Sequence, residues 1–303
     1  MTELSTEQAH RLWNDNQLLK TVKLQDLLAV ASGARKAALI ILPAELPDAA
    51  ELGMQIDKRY YAALGEGDDD GDQLSRALRR SLSKLKAKFQ SETAFKKSLM
   101  SRVFVEVVQS SDSYKALRRW VRELKLRGEV EEARPTVHEL YVAGNADTVL
   151  DIKDIGRLRR ECRKAALRTG RAHRNVFPED GFPEFGQHVG RLLGYPDCCI
   201  ERYTFDRSSV VLTAEERASQ QITDNPGKVD ALTYFTRDFI PCLPNCGKAA
   251  EQGKAIYEGL NSLSEDLGQA YLTQVEANRE RVVKFPEMIK AHVRELKERS
   301  SRK

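Results

Sequence analysis

The sequence predicts a mainly helical α+β fold in which a basic helical N-terminal region with a few short strands is followed by a cysteine-containing helical module. Three observations predict it. Apolar residues recur at helical spacing through most of the chain, only short stretches such as Ala37–Leu42 read as strands, and the paired cysteines all lie beyond residue 197.

Taken in order, Leu24–Ala31 reads as helix, Ala37–Leu42 as a strand closed by Pro43, and Asp48–Leu64 as helix again, so residues 1–64 form a small mixed unit. Gly65–Asp72 is Gly-Glu-Gly-Asp-Asp-Asp-Gly-Asp, which has nothing to bury and reads as an exposed linker. Leu74, Leu78, Leu82, Leu85 and Phe89 then mark one face of a long helix whose other face is Arg and Lys. Val103–Val108 has strand-like content, although a helix through Phe95, Leu99 and Val103 would run into it. Ser111–Gly128, with Leu117, Trp120, Val121 and Leu124 on one side, reads as a helix ending at a glycine C-cap, and Val137–Val142 as a strand. Residues 65–175 form the basic helical region. The Pro- and Gly-interrupted stretch Val176–Gly186 marks a boundary, and residues 176–303 hold the cysteine module and C-terminal helices ending in a solvated Lys-Glu-Arg-Ser-Ser-Arg-Lys.

With 303 residues, 41% of them apolar, the chain has material for a packed core. Its longest apolar run, Ala37–Leu42, is far too short to cross a bilayer, and the N-terminal residues are polar and acidic. The expectation is therefore no membrane partner and a reducing cytoplasm, where close cysteine pairs are more often ligands or redox groups than structural disulfides.

The net charge of +4 is modest, but the cations cluster. Arg76–Arg102 opposes its Arg and Lys residues with Glu92 alone, Lys115–Arg127 is a second basic run, and Arg157–Arg174 sets Arg157, Arg159, Arg160, Arg163, Lys164, Arg168, Arg171 and Arg174 against Glu161. Such helix faces suit the phosphates of RNA or DNA, which makes nucleic acid the candidate partner. The competing reading is a solvated surface, and aromatic residues for base stacking are sparse in these runs.

The cysteines carry the sharpest signal. Cys198 and Cys199 stand in Gly194-Tyr-Pro-Asp-Cys-Cys199, and Cys242 and Cys246 in Pro241-Cys-Leu-Pro-Asn-Cys-Gly247. Pro196 suits the first turn of a helix buried through Ile200, Tyr203 and Phe205, and Lys248–Leu260 has helical content, so Cys198 and Cys199 are expected in one first turn and Cys246 at or near a second helix start. There the free N–H groups and dipole favour thiolates, and Arg202, Arg237 and Lys248 are near in sequence. Adjacent side chains diverge by about 100° around a helix, so a single tetrahedral zinc would take both Cys198 and Cys199 only with distortion. That favours an iron–sulfur cluster over zinc, or else a zinc bound by one of the two with Cys242, Cys246 and His188. A redox-active or nucleophilic thiol, and ordinary buried cysteines, are the other readings. Cys162, alone in a basic helical stretch, reads as a small apolar residue.

The string Gly194-Tyr-Pro-Asp-Cys-Cys199 with the later Phe239-Ile-Pro-Cys-Leu-Pro-Asn-Cys246 resembles the signature of an uncharacterised prokaryotic family, the domain of unknown function numbered 483, over roughly Phe185–Leu260. The resemblance implies a cysteine site and no reaction.

His188 reads as a ligand, as a base for a cysteine, or as a helix histidine bonded to backbone; Glu179, Asp180 and Glu184 read as acid–base candidates or as loop solvation. Phosphate loops, Gly-x-Ser-x-Gly elbows and His-Glu-x-x-His helices are missing from the sequence. The expectation is a metal-binding protein with Cys198, Cys199, Cys242, Cys246 and His188 as candidate ligands. A nucleic-acid-binding protein with structural cysteines and a thiol-dependent enzyme are the alternatives.

Overall fold

The computed structural model describes residues 4–64, 91–169, 177–208 and 213–301. The linker expected over Gly65–Asp72, the basic helix expected over Leu74–Phe89, and His173 fall outside them.

A three-stranded antiparallel sheet in the order β1-β3-β2 stands at the centre, with β1 at Ala37–Leu42, β2 at Arg127–Arg134 and β3 at Val137–Ala143. β1 pairs with β3 from Ala37↔Ala143 to Leu42↔His138, and β2 pairs along the other side from Arg127↔Ala143 to Arg134↔Val137, with an irregularity between Glu132 and Arg134. β1 is wholly apolar and β3 is apolar apart from His138 and Glu139, as suits a sheet covered on both faces. Ala38, Ile40, Leu42, Leu140 and Val142 point into one core, and Ala37, Tyr141 and Ala143 into another.

The first core is built from α1 (Thr6–Trp13), α2 (Ala49–Leu64), α3 (Glu92–Ser110) and α4 (Asp112–Glu123). Val103–Val108 lies inside α3, not in a strand. Phe95, Leu99, Val103 and Val107 form a buried stripe at helical spacing, and that burial overrides the strand preference of the valines. α4 also stops earlier than the glycine signal suggests. Lys125, at φ 56, takes the left-handed turn, and Gly128 already belongs to β2.

Leu24–Ala31 is helical as expected, but Val22–Leu28 is wound as a π-helix with all its residues buried, and Ala29–Ala31 closes it as an α-turn. The buried polar residues of this segment are bonded. Lys23 Nζ donates to the carbonyls of Trp13 (2.6 Å) and Asp15 (2.9 Å), and Asp26 pairs with Arg35 and with Arg237.

On the other face of the sheet lie α5 (Ala146–Arg168) and α6 (Pro183–Leu192), followed by α7 (Asp197–Ser208), α8 (Ala214–Asp224), α9 (Gly247–Leu263) and α10 (Glu265–Ser301). The first core does not end with the N-terminal half. It continues through Cys199, Phe235, Phe239, Cys246, Ile256, Leu260, Tyr271 and Val275. No helix among the described residues is long and apolar enough to cross a membrane.

Candidate metal centre

Two arms converge on one point. The first is the corner between α6 and α7. The Pro- and Gly-rich stretch expected to break regular structure instead starts α6, with Pro183 in its first turn, where its missing N–H costs no hydrogen bond. Gly194, at φ 76, ends it: the Gly194 N–H donates to the Arg191 carbonyl (3.2 Å) and the Tyr195 N–H to the Gly190 carbonyl (2.9 Å). This is a Schellman closure, which needs a residue tolerant of positive φ. Tyr195 then packs on Phe239 with ring centroids 4.8 Å apart. The Pro196 carbonyl accepts from the N–H groups of Cys199 (2.9 Å) and Ile200 (3.0 Å), opening α7 with both cysteines in its first turn. A Cβ at Gly190 would stand 2.7 Å from Ile200 Cγ1, so the glycine is what lets α6 and α7 close up. Ile200 is buried and Tyr203 half-buried, whereas Phe205, expected on the same side, is exposed.

The second arm is an irregular loop. Its backbone polar groups are bonded by side chains from elsewhere in the chain, as buried groups outside regular structure must be. Asn278 Nδ2 donates to the Tyr234 carbonyl (2.9 Å) and Tyr271 Oη to that of Phe235 (3.0 Å), both from α10. From α8, Arg217 Nη2 donates to the Pro241 carbonyl and Nη1 to the Cys242 carbonyl, both at 3.0 Å. Arg217 is itself held by Asp206 of α7, Nε to Oδ2 at 2.7 Å, so one buried ion pair ties the cysteine loop to the helix that carries the other two cysteines. Cys246 caps α9, its carbonyl accepting from the Ala249 (3.1 Å) and Ala250 (2.9 Å) N–H groups.

The four sulfurs meet. Sγ of Cys198 lies 3.9 Å from that of Cys199 and 3.8 Å from that of Cys246, Cys199 and Cys246 are 3.7 Å apart, and the four sulfurs of Cys198, Cys199, Cys242 and Cys246 lie within 4.8 Å of one another. None is in a disulfide. The Cys242 N–H points at Cys199 Sγ at 3.4 Å. Burial, joined by the neighbouring sulfurs, pushes the Cys199 thiol far above its ordinary range, and burial with the contact to Cys246 pushes Cys242 up to about 11. Burial acts the same way on Cys246, but the Ala249 N–H and the neighbouring thiols more than offset it and leave that thiol below its usual value. Four thiols so placed resist ionising together unless a cation shares the charge.

His188 stands apart from this cluster. It is exposed on α6, with Nδ1 2.8 Å from the Glu184 carbonyl one turn back in its own helix. Of the nearby cations, Arg202 pairs with Asp206 (3.0 Å), Arg237 lies among Asp26, Glu45 and Asp238, and Lys248 is exposed. Cys162 is buried on α5, in keeping with its reading as a small apolar residue.

Glu179 is not solvated. It is buried between Arg159 Nε (3.1 Å) and Arg163 Nη2 (2.8 Å), while Arg159 Nη2 also bonds Glu139. Arg159 of the third basic run is thus committed inside the molecule, and the half-buried Arg163 is engaged beside it. Arg157 pairs with Asp154 at 3.0 Å on the exposed side of α5. Sequence reasoning missed Arg217 and Asp206. Their partners are set by folding, and the only local hint is that two charged residues sit on otherwise buried helix faces.

Residues 183–266 match the model of a family described as a protein of unknown function, DUF483, in keeping with the resemblance noted in the sequence. The matched segment runs from the first residue of α6 into the start of α10 and includes all four clustered cysteines. No curated protein and no solved structure matches the chain.

Proposed function

We propose that Cys198, Cys199, Cys242 and Cys246 bind a single zinc ion that fastens α7 to the loop before α9. The sulfur spacing carries this reading. Four sulfurs at about 2.3 Å from one tetrahedral ion stand about 3.8 Å apart; the sulfurs of Cys198, Cys199 and Cys246 stand 3.7, 3.8 and 3.9 Å apart, and with Cys242 all four lie within 4.8 Å of one another. A multi-iron cluster puts its cysteines on different irons and spreads them further. The cluster favoured by the adjacency of Cys198 and Cys199 is therefore the less well supported centre. Divergence at Cβ does not keep their Sγ atoms apart, because both side chains turn toward Cys246.

Four thiolates fill a tetrahedral zinc, leaving no position for water or substrate, which is the pattern of a structural site. The ion would neutralise thiols that resist ionising and replace their weak mutual contacts with bonds linking residues 43 or more positions apart along the chain. Elemental analysis of protein purified without oxygen tests the proposal. The expected result is one zinc per chain, and cobalt substitution is expected to give the visible spectrum of tetrahedral thiolate ligation. Stoichiometric iron with acid-labile sulfide would overturn it in favour of a cluster.

A further inference from the structure

A cavity of about 440 Å³ lies beside the cysteine cluster, a size typical of small-molecule sites. Alternate residues of the sheet, Leu39 and Ile41 of β1 and Val137, Glu139 and Tyr141 of β3, form its floor. α6 and α7 cover it, and one wall includes Cys199 and Phe239. Most of this surface is apolar.

The polar part is a buried ion-pair cluster. The Arg159 side chain is 4% exposed, with Nε 3.1 Å from Glu179 and Nη2 against Glu139. Charge narrows what the cavity takes. Every charged group lining the cavity already has an opposite partner: Glu139 and Glu179 have Arg159 and Arg163, Arg207 has Glu215, and Asp238 has Arg237, which it shares with Asp26 and Glu45. An added anion would meet these carboxylates, and an added cation would meet the arginines.

We propose that this cavity binds an uncharged, largely apolar small molecule, seated between the sheet and α6. The proposal does not rest on the zinc reading, since none of the contacts it uses involves the metal.

Acetophenone, benzoate and benzylamine, similar in size and different in charge, are suitable probes. With methyl-labelled full-length protein as purified, acetophenone is expected to shift the methyl resonances of Val189, Leu193 and Ile200 while leaving those of Leu117 and Val121 unmoved, and to bind about tenfold or more tightly than benzoate or benzylamine. Val189→Phe, which fills the space, is expected to abolish binding without lowering the melting temperature. Benzoate or benzylamine binding as well as acetophenone would overturn the proposal. So would methyl shifts scattered over both cores, no shifts with any probe, or acetophenone binding unchanged in a folded Val189→Phe protein. The methyl map on the unaltered chain decides the matter even if the variant fails to fold.

Discussion

Cys198 and Cys199 sit in a helix turn whose hydrogen bonds are made by its own neighbours: Gly190, Arg191, Gly194 and Pro196 together close α6 and open α7. Cys242 lies in a loop whose carbonyls are bonded by Arg217 of α8 and, a few residues earlier, by Tyr271 and Asn278 of α10. The first arm is local and forms with its helices. The second depends on contacts from distant parts of the chain, so a metal bound at the sulfurs would have more to do there. Removing it should loosen the loop first.

The sharpest way to break this contrast is to remove a ligand. Cys242→Ser is expected to reduce metal content to background, and hydrogen exchange should then rise over residues 236–246 while the amides of α7 stay protected. Equal loss of protection in both arms would show that they form one unit.

Arg217→Met comes next. It strips two loop carbonyls of their donor and leaves Asp206 buried with only the half-exposed Arg202. A cost of about 3–5 kcal/mol in urea unfolding is expected, with metal affinity, read by chelator competition, weakened about 10- to 100-fold.

The loop arm is also anchored by Arg237, whose N–H donates to Gln25 Oε1 (2.9 Å) and whose guanidinium bonds Glu45. Burial outweighs that guanidinium and raises the Glu45 carboxyl to about 7 from its ordinary 4.5. The folded protein therefore holds this proton more tightly than the unfolded chain does. The resulting stabilisation is complete below pH 4.5 and is lost as pH rises through about 7. Across that window the contribution is on the order of 3 kcal/mol. The difference in urea midpoint between the parent and Glu45→Gln, followed from pH 4.5 to 8, is the measurement.

The smallest effect belongs to the local arm. Gly194→Ala puts a Cβ on a residue at φ 76 with nothing within 4 Å of it, so only backbone strain is added. The melting temperature should report a loss of about 1–2 kcal/mol, with full metal content retained.

Much of this was legible in the sequence wherever local signals and burial agree. β1 ends where Pro43 closes its apolar run, β3 follows the Val137–Val142 pattern, and Cys198, Cys199 and Cys246 fall at helix starts while Cys242 lies in the loop before the second. β2 was hidden because Arg-Gly-Glu-Val-Glu-Glu-Ala-Arg gains its strand through pairing with β3, not through its own side chains. The π-helix at Val22–Leu28 has no sequence signature of its own. At the site, the four cysteines were legible from spacing alone, while their closeness depends on side-chain direction. Arg217 was not legible, since Asp206 and the Pro241 and Cys242 carbonyls, which tie it to the site, lie 11 to 25 residues away and face it only after folding.

Cys199 belongs to two places at once. Its sulfur is one corner of the thiol cluster, and its side chain is part of the cavity wall. Whatever fills the cavity and whatever binds the sulfurs therefore touch the same residue, with no intermediary to relay a change. Thermodynamic linkage makes such a contact symmetrical: if metal loading alters the affinity of the cavity by some factor, a molecule in the cavity alters metal affinity by that same factor. One shared side chain thus makes each occupant a gauge of the other.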